Sequence, residues 1–313
     1  MHFKTYAGTA YVLKGINLDI HENDFLGLVG ETGCGKSMTC FSILRLIPPG
    51  GVISAGKIFF RGEDLLQKPE NEMMKIRGKR ISMISQDPSA YLNPLFTIGQ
   101  QLIMIIRQHH TLTKAESIDR ALEMLRVVEL PNPQRIMKAY PHELSGGMKQ
   151  RAAIAMALSC APDLLIADEP TTDLDVTIQA RILELLQKLR EERHLTIIMV
   201  THDLAVVAEA CEKVAVLYAG RLVESGDVKS VLYHPKHPYT QALLRCSPGI
   251  GSREQPLEAI PGRVPSSFEL VSGCDFHPRC PHATAKCKET FPSFNRTGGN
   301  HYVACHIYGE LQN

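Results

Sequence analysis

One stretch constrains this chain more than any other, the eight residues 30–37, which read GETGCGKS. They match the pattern G-x-x-x-x-G-K-[ST] and lie between an apolar run at 25–29 and a segment, 38–46, that we predict to be helical. The glycines let successive backbone N–H groups point at one centre, and the following helix adds the positive end of its dipole. The stretch therefore predicts a phosphate-binding loop in which Lys36 reaches the β- and γ-phosphates and the Ser37 hydroxyl binds Mg²⁺.

Composition and charge argue against several other kinds of protein. The chain of 313 residues has room for about two domains. Its 34 basic and 33 acidic residues nearly cancel, so the charge gives no sign of a nucleic-acid-binding surface. We find no apolar stretch long enough for a membrane span and no apolar core of a signal peptide. We therefore expect a soluble, cytoplasmic protein that reaches a membrane only through a partner.

The order of apolar runs and helical patterns predicts the fold class. Short apolar strands are expected at 11–20, 54–60, 80–85, 163–167, 195–200 and 214–218, and an amphipathic helix at 177–192. Residues 88–161 have a helical texture, with a capping box at Thr113 and Glu116 opening a helix that runs to Glu129. From about residue 234 the composition shifts to Pro, Gly, His and Cys, which predicts a small, largely irregular second domain. We expect an α/β core with helices on both faces of a mostly parallel sheet.

Polar side chains follow three of the predicted strands. Asp168 and Glu169 end the apolar run LLIA, Gln86 follows the strand at 80–85, and His202 follows the strand at 195–200. Ligands of open α/β sheets bind at this end of the strands. We expect Asp168 to hold Mg²⁺, Glu169 to polarise the attacking water, Gln86 to reach the metal or that water, and His202 to contact the γ-phosphate.

A second candidate anion site begins at Ser145, in the stretch LSGGMKQR. Ser145 and the two glycines open a helix, so that free N–H groups and a helix dipole face outward. One chain cannot easily place two such helix starts on the same γ-phosphate. A head-to-tail pair of chains can.

Together these motifs are similar, in order and spacing, to an ATPase subunit of an ABC transporter. The resemblance covers about residues 1–230 and also includes Asp173 and Asp175. It implies a P-loop NTPase fold with a RecA-like, mostly parallel sheet, an antiparallel β subdomain and a helical insert at about 88–161, within an ATPase domain of residues 1–233. It also implies a catalytic base at Glu169, with Gln86 and His202 beside the reaction.

The same resemblance implies the nucleotide-binding residues. ATP would be bound by the loop and the start of its helix, namely Gly30, Glu31, Thr32, Gly33, Cys34, Gly35, Lys36, Ser37 and Met38. Ser145, Gly146, Gly147 and Asp175 would act on the nucleotide of a partner chain. Mg²⁺ would be held by Ser37, Gln86 and Asp168. The adenine-stacking aromatic would be Tyr6, with Tyr11 as the second choice. The chain departs from the family at residues 172–175, which read TDLD where the family more often has Ser-Ala-Leu-Asp. The second Asp, Asp175, is kept, so we expect a working dimer contact.

The C-terminal region, 234–313, resembles the tail of the oligopeptide and dipeptide importer ATPases, on the stretches HPYTQALL, IPG and GC…CP. It holds four of the nine cysteines: Cys274, Cys280, Cys287 and Cys305. Four thiols in a chain without an export signal suggest an iron–sulfur cluster or structural zinc. Zinc sites usually show tight C-x₂₋₄-C pairs, which are missing here, although zinc ligands are available at His277, His282, His301 and His306. The family's tails are associated with a [4Fe–4S] cluster, which the resemblance therefore favours.

These observations lead us to expect an ATPase that powers import of di- or oligopeptides by nucleotide-driven closure of a dimer. Its partners would be a second ABC ATPase subunit, in a heterodimer or a homodimer, two membrane-spanning permease subunits and, indirectly, an extracytoplasmic peptide-binding protein. It would lie at the cytoplasmic face of the membrane and bind no nucleic acid. The alternatives are a soluble ABC ATPase acting in DNA repair or translation, a regulatory redox module, and an importer of another solute such as nickel chelates or sugars.

Overall fold

The chain divides into two compact units, each assembled from separate stretches of sequence. The computed structural model describes residues 1–172, 174–247 and 259–309. The first unit consists of Met1–Ile20, Phe25–Leu66 and the described part of Val200–Asn313. The second consists of His21–Asp24 and the described part of Gln67–Met199. The sequence motifs are thus distributed over both units.

The strands are short, and most of those in the core are completely buried. In chain order they are β1 (His2–Thr5), β2 (Gly8–Tyr11), β3 (Phe25–Val29), β4 (Gly51–Val52), β5 (Phe59–Phe60), β6 (Glu63–Asp64), β7 (Ile81–Ile84), β8 (Leu164–Asp168), β9 (Thr196–Val200), β10 (Lys213–Tyr218), β11 (Arg221–Asp227), β12 (Asn295–Gly298) and β13 (His301–Val303).

The helices vary from a single turn to five turns. They are α1 (Lys36–Leu44), α2 (Glu70–Ile76), α3 (Pro88–Tyr91), α4 (Ile98–His109), α5 (Lys114–Val127), α6 (Pro133–Ile136), α7 (Gly146–Leu158), α8 (Val176–Arg193), α9 (Leu204–Ala210), α10 (Val228–Tyr233), α11 (Pro238–Arg245) and α12 (Ala285–Glu289). Among the residues that the structure describes, no helix combines the length and the apolar composition needed to cross a lipid bilayer.

In the first unit, β3 is the strand that leads into the phosphate-binding loop. It lies parallel to β10, and β10 continues antiparallel into β11. All five residues of β3 are buried, as expected for a parallel strand covered on both faces. A separate antiparallel sheet has the order β2-β1-β4, and β5 and β6 form a small hairpin. These pieces agree with the expected sheet core and antiparallel β subdomain.

The strand predicted at 11–20 is wrong, because β2 ends at Tyr11. Beyond it, the N–H groups of Val12 and Leu13 both donate to the carbonyl of Met1, and that of Lys14 donates to Gly220. Gly15 then turns the chain with a φ of +96°. The apolar residues of this stretch belong to an extended connection rather than to a regular strand pair.

The tail is more regular than the sequence predicted. Its β12 and β13 form an antiparallel pair, and β13 adds to β11 with Glu224 opposite Val303 and Ser225 opposite Tyr302. The tail therefore extends the sheet of the first unit. Strands of four and three residues are too short to give a periodic signal in the sequence.

In the second unit, the strands lie in the order β9-β8-β7, with β7 and β8 parallel. The expected helical insert is present as α3 to α7, and α4, α5 and α7 pack on one another. The capping box opens α5 as predicted, because Thr113 and Glu116 bond each other's backbone N–H groups, but the helix ends at Val127 rather than Glu129. This helical core supports the start of α7.

Candidate functional site

The phosphate-binding loop has the predicted strand–loop–helix setting. It leaves β3 at Gly30, whose φ is +149°, and enters α1 from Gly35, whose φ is +107°. A Cβ on Gly30 would lie 2.2 Å from the carbonyl oxygen of Leu217, and a Cβ on Gly35 would lie 2.7 Å from Leu13 Cδ2. Both positions therefore favour glycine for their conformation, and Gly30 also requires it for space because the atom it would meet belongs to the backbone.

Lys36 points back over the loop that precedes it. Its side chain is buried, and its Nζ donates to the carbonyl oxygens of Gly30, at 2.6 Å, and Glu31, at 3.2 Å. The neighbouring Cys34 is also buried, and this burial raises the pKa of its thiol. The ammonium is thus held at the centre of the loop, beside the N-terminus of α1, where an anion would meet both charges.

The remaining predicted residues of the first unit are more open. Thr32 and Gly33 are exposed, and Ser37 and Met38 are half-buried. His202 is exposed between β9 and α9, in the position expected from the sequence. The two candidate adenine-stacking residues differ in their surroundings. Tyr6 is fully exposed in the turn between β1 and β2, whereas Tyr11 lies on β2 with its ring 5.8 Å from that of His2.

Sequence reasoning missed two tail residues that bind the loop. The backbone N–H of Glu31 donates to the hydroxyl of Tyr239 at 2.8 Å. The carboxylate of Glu31 accepts from Arg279 twice, Nη1 to Oε2 at 2.9 Å and Nη2 to Oε1 at 3.2 Å. The available signals were the acidic residue Glu31 inside a phosphate-binding loop and an arginine directly before Cys280. Because the tail was predicted to form a separate domain, contacts between its residues and the loop were not expected.

In the second unit, the structure brings Gln86 and Glu169 together. The strands β7 and β8 are parallel, with Ile84 opposite Ala167, so their carboxyl ends reach the same edge. There the Gln86 side-chain amide donates to Glu169 Oε2 at 3.0 Å. Asp168, the last residue of β8, is buried, and Glu169 turns the chain with a φ of +48°. A positive φ is strained for glutamate, a feature common at functional sites.

Thr172 is a further residue at this carboxylate that the sequence did not indicate as functional. Its hydroxyl donates to the same Glu169 Oε2 at 3.0 Å. One carboxylate oxygen therefore receives two hydrogen bonds, one from an amide and one from a hydroxyl. These bonds fix the rotamer of Glu169. The three-residue spacing after Glu169 was the only available signal.

The starts of α7 and α8 lie side by side. Ser145 caps α7 by accepting from the N–H of Met148 at 3.4 Å, and Asp175 caps α8 by accepting from Ile178 at 3.0 Å. A Cβ on Gly147 would lie 2.7 Å from Cγ2 of Ile178, so the glycine permits this close approach. Ser145 and Gly146 are exposed. The expected outward-facing helix start is present, and Asp173 of the adjoining motif lies outside the described residues.

All four tail cysteines line one small cavity, as do His237, His277, His282 and His306. The N–H of Cys274 donates to the carbonyl of Cys287 at 2.8 Å. Burial, with smaller contributions from the neighbouring thiols of Cys287, Cys305 and Cys280, raises the pKa of Cys274 to about 11. Across the described part of the chain, no three His, Cys, Asp or Glu side chains are arranged to hold a metal ion.

Three of the four histidines considered as zinc ligands have other partners. His301 is not among the residues that line the cavity, and its Nε2 lies 2.7 Å from Oε1 of the buried Glu224. His277 Nδ1 lies 3.0 Å from the carbonyl of Cys274, and His306 Nε2 lies 2.9 Å from that of Thr290. The arrangement therefore gives no support to a zinc site built with these rings.

Comparison with known proteins assigns a description to each part of the chain. Residues 13–172 match the family described as ABC transporter, and residues 223–287 match the family described as oligopeptide/dipeptide transporter, C-terminal region. A probable peptide ABC transporter ATP-binding protein of Sinorhizobium fredii is 46% identical over 314 residues, which covers 100% of this chain and 94% of that protein. The oligopeptide transport ATP-binding protein of Escherichia coli is 45% identical, covering 95% of this chain and 88% of its own length.

The fold also matches solved structures. A dimeric ATP-binding cassette, MJ0796, in a post-hydrolysis state with ADP and phosphate, superposes with a TM-score of 0.65 and 31% identity. The match covers 72% of this chain and 95% of that cassette.

Proposed function

The chain belongs to the ABC transporter family, and we propose that it is the ATP-hydrolysing subunit of an importer of di- or oligopeptides. The observation that carries the peptide assignment is the tail, which matches the oligopeptide/dipeptide transporter C-terminal region over residues 223–287. Peptide-transport ATP-binding proteins are also similar to the chain over nearly its whole length. We take residues 1–233 as the ATPase domain and 234–313 as a C-terminal domain.

The phosphate-binding loop would grip ATP through its backbone N–H groups, the start of α1 and the Lys36 ammonium. This ammonium lies over the loop, bonded to the carbonyls of Gly30 and Glu31. Ser37 would supply a hydroxyl ligand to Mg²⁺, and Asp168 and Gln86 would supply oxygen ligands. When bound, Mg²⁺ neutralises charge that develops on the transferring phosphoryl group.

Glu169 would act as the general base that activates water, with His202 contacting the γ-phosphate. Two bonds support the role of Glu169, because Gln86 and Thr172 both donate to its Oε2 and hold the carboxylate in one orientation. A base must be held within hydrogen-bond reach of the proton that it takes. The strained backbone at Glu169 fits a residue placed for chemistry rather than for packing.

The exposed start of α7, with Ser145, Gly146 and Gly147, would complete the ATP site of a second ATPase subunit. Asp175 would join it, since it caps the adjacent helix. A similar cassette is dimeric in its solved structure. We propose that closure of this dimer on ATP drives two membrane-spanning subunits fed by a peptide-binding protein, with the chain peripheral at the cytoplasmic face of the membrane.

Substitution of the proposed base tests the hydrolysis step. Glu169→Gln should lower the ATP turnover rate at least about 100-fold, the lower range of a general base, and leave ATP binding intact. Exposed Glu191→Gln on α8 is the matched control and should hydrolyse ATP normally. Turnover near the wild-type rate in Glu169→Gln would show that another group is the base.

Copurification of two membrane-spanning subunits from detergent-solubilised membranes tests the transport assignment, and their absence would favour a soluble ABC ATPase.

We further propose that Cys274, Cys280, Cys287 and Cys305 hold a [4Fe–4S] cluster. The four thiols converge on one cavity, and soft thiolates suit iron–sulfur clusters. In a cluster each thiolate binds a different iron, so the sulfurs need not approach one another as closely as around a single zinc ion. The bound cluster would tie the four cysteine-bearing segments together.

Anaerobic purification tests the cluster. Brown protein with visible absorption and about four irons per chain is expected, as four thiolates bind such a cluster. Colourless protein that contains zinc would refute the assignment. Replacing all four cysteines by serine should remove the iron.

A further inference from the structure

We propose that Arg279 and Tyr239 of the tail are positioning residues for the phosphate-binding loop. Both bind Glu31, the residue that directly follows Gly30. By fixing the side chain and the backbone N–H of Glu31, they set the shape and charge of the loop's first turn and so its affinity for ATP. The tail is thereby part of the nucleotide-binding machinery and not an appendage to it.

The ion pair between Arg279 and Glu31 has the geometry of a rigid clamp. Its two parallel bonds, at 2.9 and 3.2 Å, form the planar fork that arginine makes with a carboxylate. Only 4% of the Arg279 side chain is exposed, so solvent screens the pair weakly. The guanidinium is itself fixed, because Nε donates to the carbonyl of Pro261 at 2.9 Å and Nη1 to the hydroxyl of Tyr218 at 3.3 Å.

Tyr239 holds the backbone beside this clamp. Its hydroxyl accepts from the Glu31 N–H at 2.8 Å, and its ring is completely buried. The ring packs on Tyr218, with centroids 4.6 Å apart, and on Phe276, at 5.4 Å. The direction of one loop N–H is therefore determined by a packed aromatic cluster that includes two tail residues, Tyr239 and Phe276.

The ion pair also changes the charge that the loop presents to ATP. A carboxylate inside a phosphate-binding loop repels the triphosphate, since like charges close together raise the cost of binding. Arg279 neutralises Glu31 and draws its carboxylate toward the tail. Without Arg279, the same carboxylate would be free to face the phosphates.

The segment that carries Arg279 is anchored along its length. Asp275 is buried and accepts from Lys14 at 2.6 Å and Arg221 at 2.9 Å, and Phe276 is buried beside Tyr239. Both residues and Arg279 lie between Cys274 and Cys280, two of the cysteines at the cavity. A rearrangement at the cavity would therefore move the clamp on the loop.

The test is to measure ATP affinity and steady-state kinetics on the full chain. Arg279→Gln should raise the Kd and the KM for ATP about tenfold while kcat changes less than about threefold, because loss of a charged hydrogen-bonding partner weakens binding by about that factor. Arg279→Lys, which keeps the charge but not the fork, should recover part of the loss. Tyr239→Phe, which keeps the ring, should raise the Kd about threefold.

A double variant separates positioning from general damage. Glu31→Gln removes the charge that Arg279 neutralises, so adding it to Arg279→Gln should restore much of the ATP affinity. Arg263→Gln is the matched control, since Arg263 pairs with Glu269 in the same tail and is largely exposed. It should bind ATP as the wild type does.

Several results would overturn the proposal. They are a wild-type Kd in folded Arg279→Gln, strictly additive losses in the double variant, and an equal loss in Arg263→Gln. If Arg279→Gln does not fold, Tyr239→Phe decides, and an unchanged Kd there counts against the clamp. Because the loop's role in binding ATP belongs to the proposed function, Lys36→Ala is measured in parallel. If Lys36→Ala loses ATP binding but Arg279→Gln binds normally, only the clamp is rejected. If Lys36→Ala and Arg279→Gln both bind ATP normally, the proposed ATP site itself is rejected.

Discussion

Two helix starts were predicted to bind phosphate, those of α1 and α7, and they differ in burial. At the start of α1, Cys34, Gly35 and Lys36 are buried within the first unit. At the start of α7, Ser145 and Gly146 are exposed at the surface of the second unit. The first is enclosed by its own chain and the second is open. The difference agrees with the proposal that the loop binds phosphate within its own chain and that the α7 start contributes to the site of another chain.

The capping of the two helices supports the same distinction. No side chain caps α1, whose N-cap residue is Gly35. The first N–H groups of α1 thus keep their capacity to bind an anion. In α7, the hydroxyl of Ser145 already accepts from one of these N–H groups, that of Met148. The α7 start is therefore capped by its own chain, whereas the α1 start has no side-chain cap.

Of the two helix starts, the phosphate-binding loop at α1 should show the larger loss of ATP binding when it is mutated. Lys36→Ala should weaken ATP binding to the isolated chain about 10- to 100-fold, because a hydrogen bond to a charged group contributes about 1.5–3 kcal/mol. Equilibrium binding of a fluorescent ATP analogue measures this loss. The exposed Lys57→Ala is the control and should bind normally. Unchanged binding in Lys36→Ala would mean that the loop does not grip phosphate by itself.

The local parts of both helix starts were predictable from the sequence. Gly30, Gly35 and Lys36 belong to one short motif whose glycines are required by the backbone, and Ser145 is a typical N-cap residue. The contact between Gln86 and Glu169 was also predictable, since parallel strands end at the same edge of a sheet.

The contacts that complete the loop were not predictable, because they join distant parts of the chain. Tyr239 lies 208 residues from Glu31 and Arg279 lies 248 residues from it. No spacing rule relates residues so far apart, and periodicity describes only neighbours along one element. The wrong strand at 11–20 has a related cause, since bonds to Met1 and Gly220 hold that stretch extended. The tail's short strands likewise form only by pairing with β11.

A smaller effect is expected at the open helix start. Ser145→Ala should lower ATP turnover about tenfold, as expected for the loss of one hydrogen bond to a charged group, and leave ATP binding to the isolated chain within about twofold. Turnover is measured at saturating ATP and binding by the same fluorescent analogue. Ser145→Ala should therefore lower ATP turnover without weakening ATP binding, whereas Lys36→Ala should lower both.

The control for Ser145→Ala is a second helix cap. Thr113→Ala removes the N-cap of α5, which costs about 1 kcal/mol of stability as at Ser145, but Thr113 is assigned no part in binding ATP. It should lower the melting temperature by a similar amount and leave turnover unchanged. Equal losses of turnover in both variants would reduce the α7 start to a structural cap and remove the contrast with α1.

The smallest effect is expected at Thr172, where the comparison separates chemistry from binding. The Thr172 hydroxyl donates to Glu169 Oε2 at 3.0 Å, so Thr172→Val removes one of the two bonds that hold the proposed base while keeping the side-chain shape. We expect kcat to fall about fivefold with the KM for ATP unchanged, because a typical hydrogen bond contributes about 1 kcal/mol and the bond from Gln86 still orients the carboxylate. Thr172→Ser keeps the hydroxyl and should retain most of the rate. If Thr172→Val instead raised the KM and left kcat unchanged, Thr172 would serve nucleotide binding, and Gln86 alone would orient Glu169.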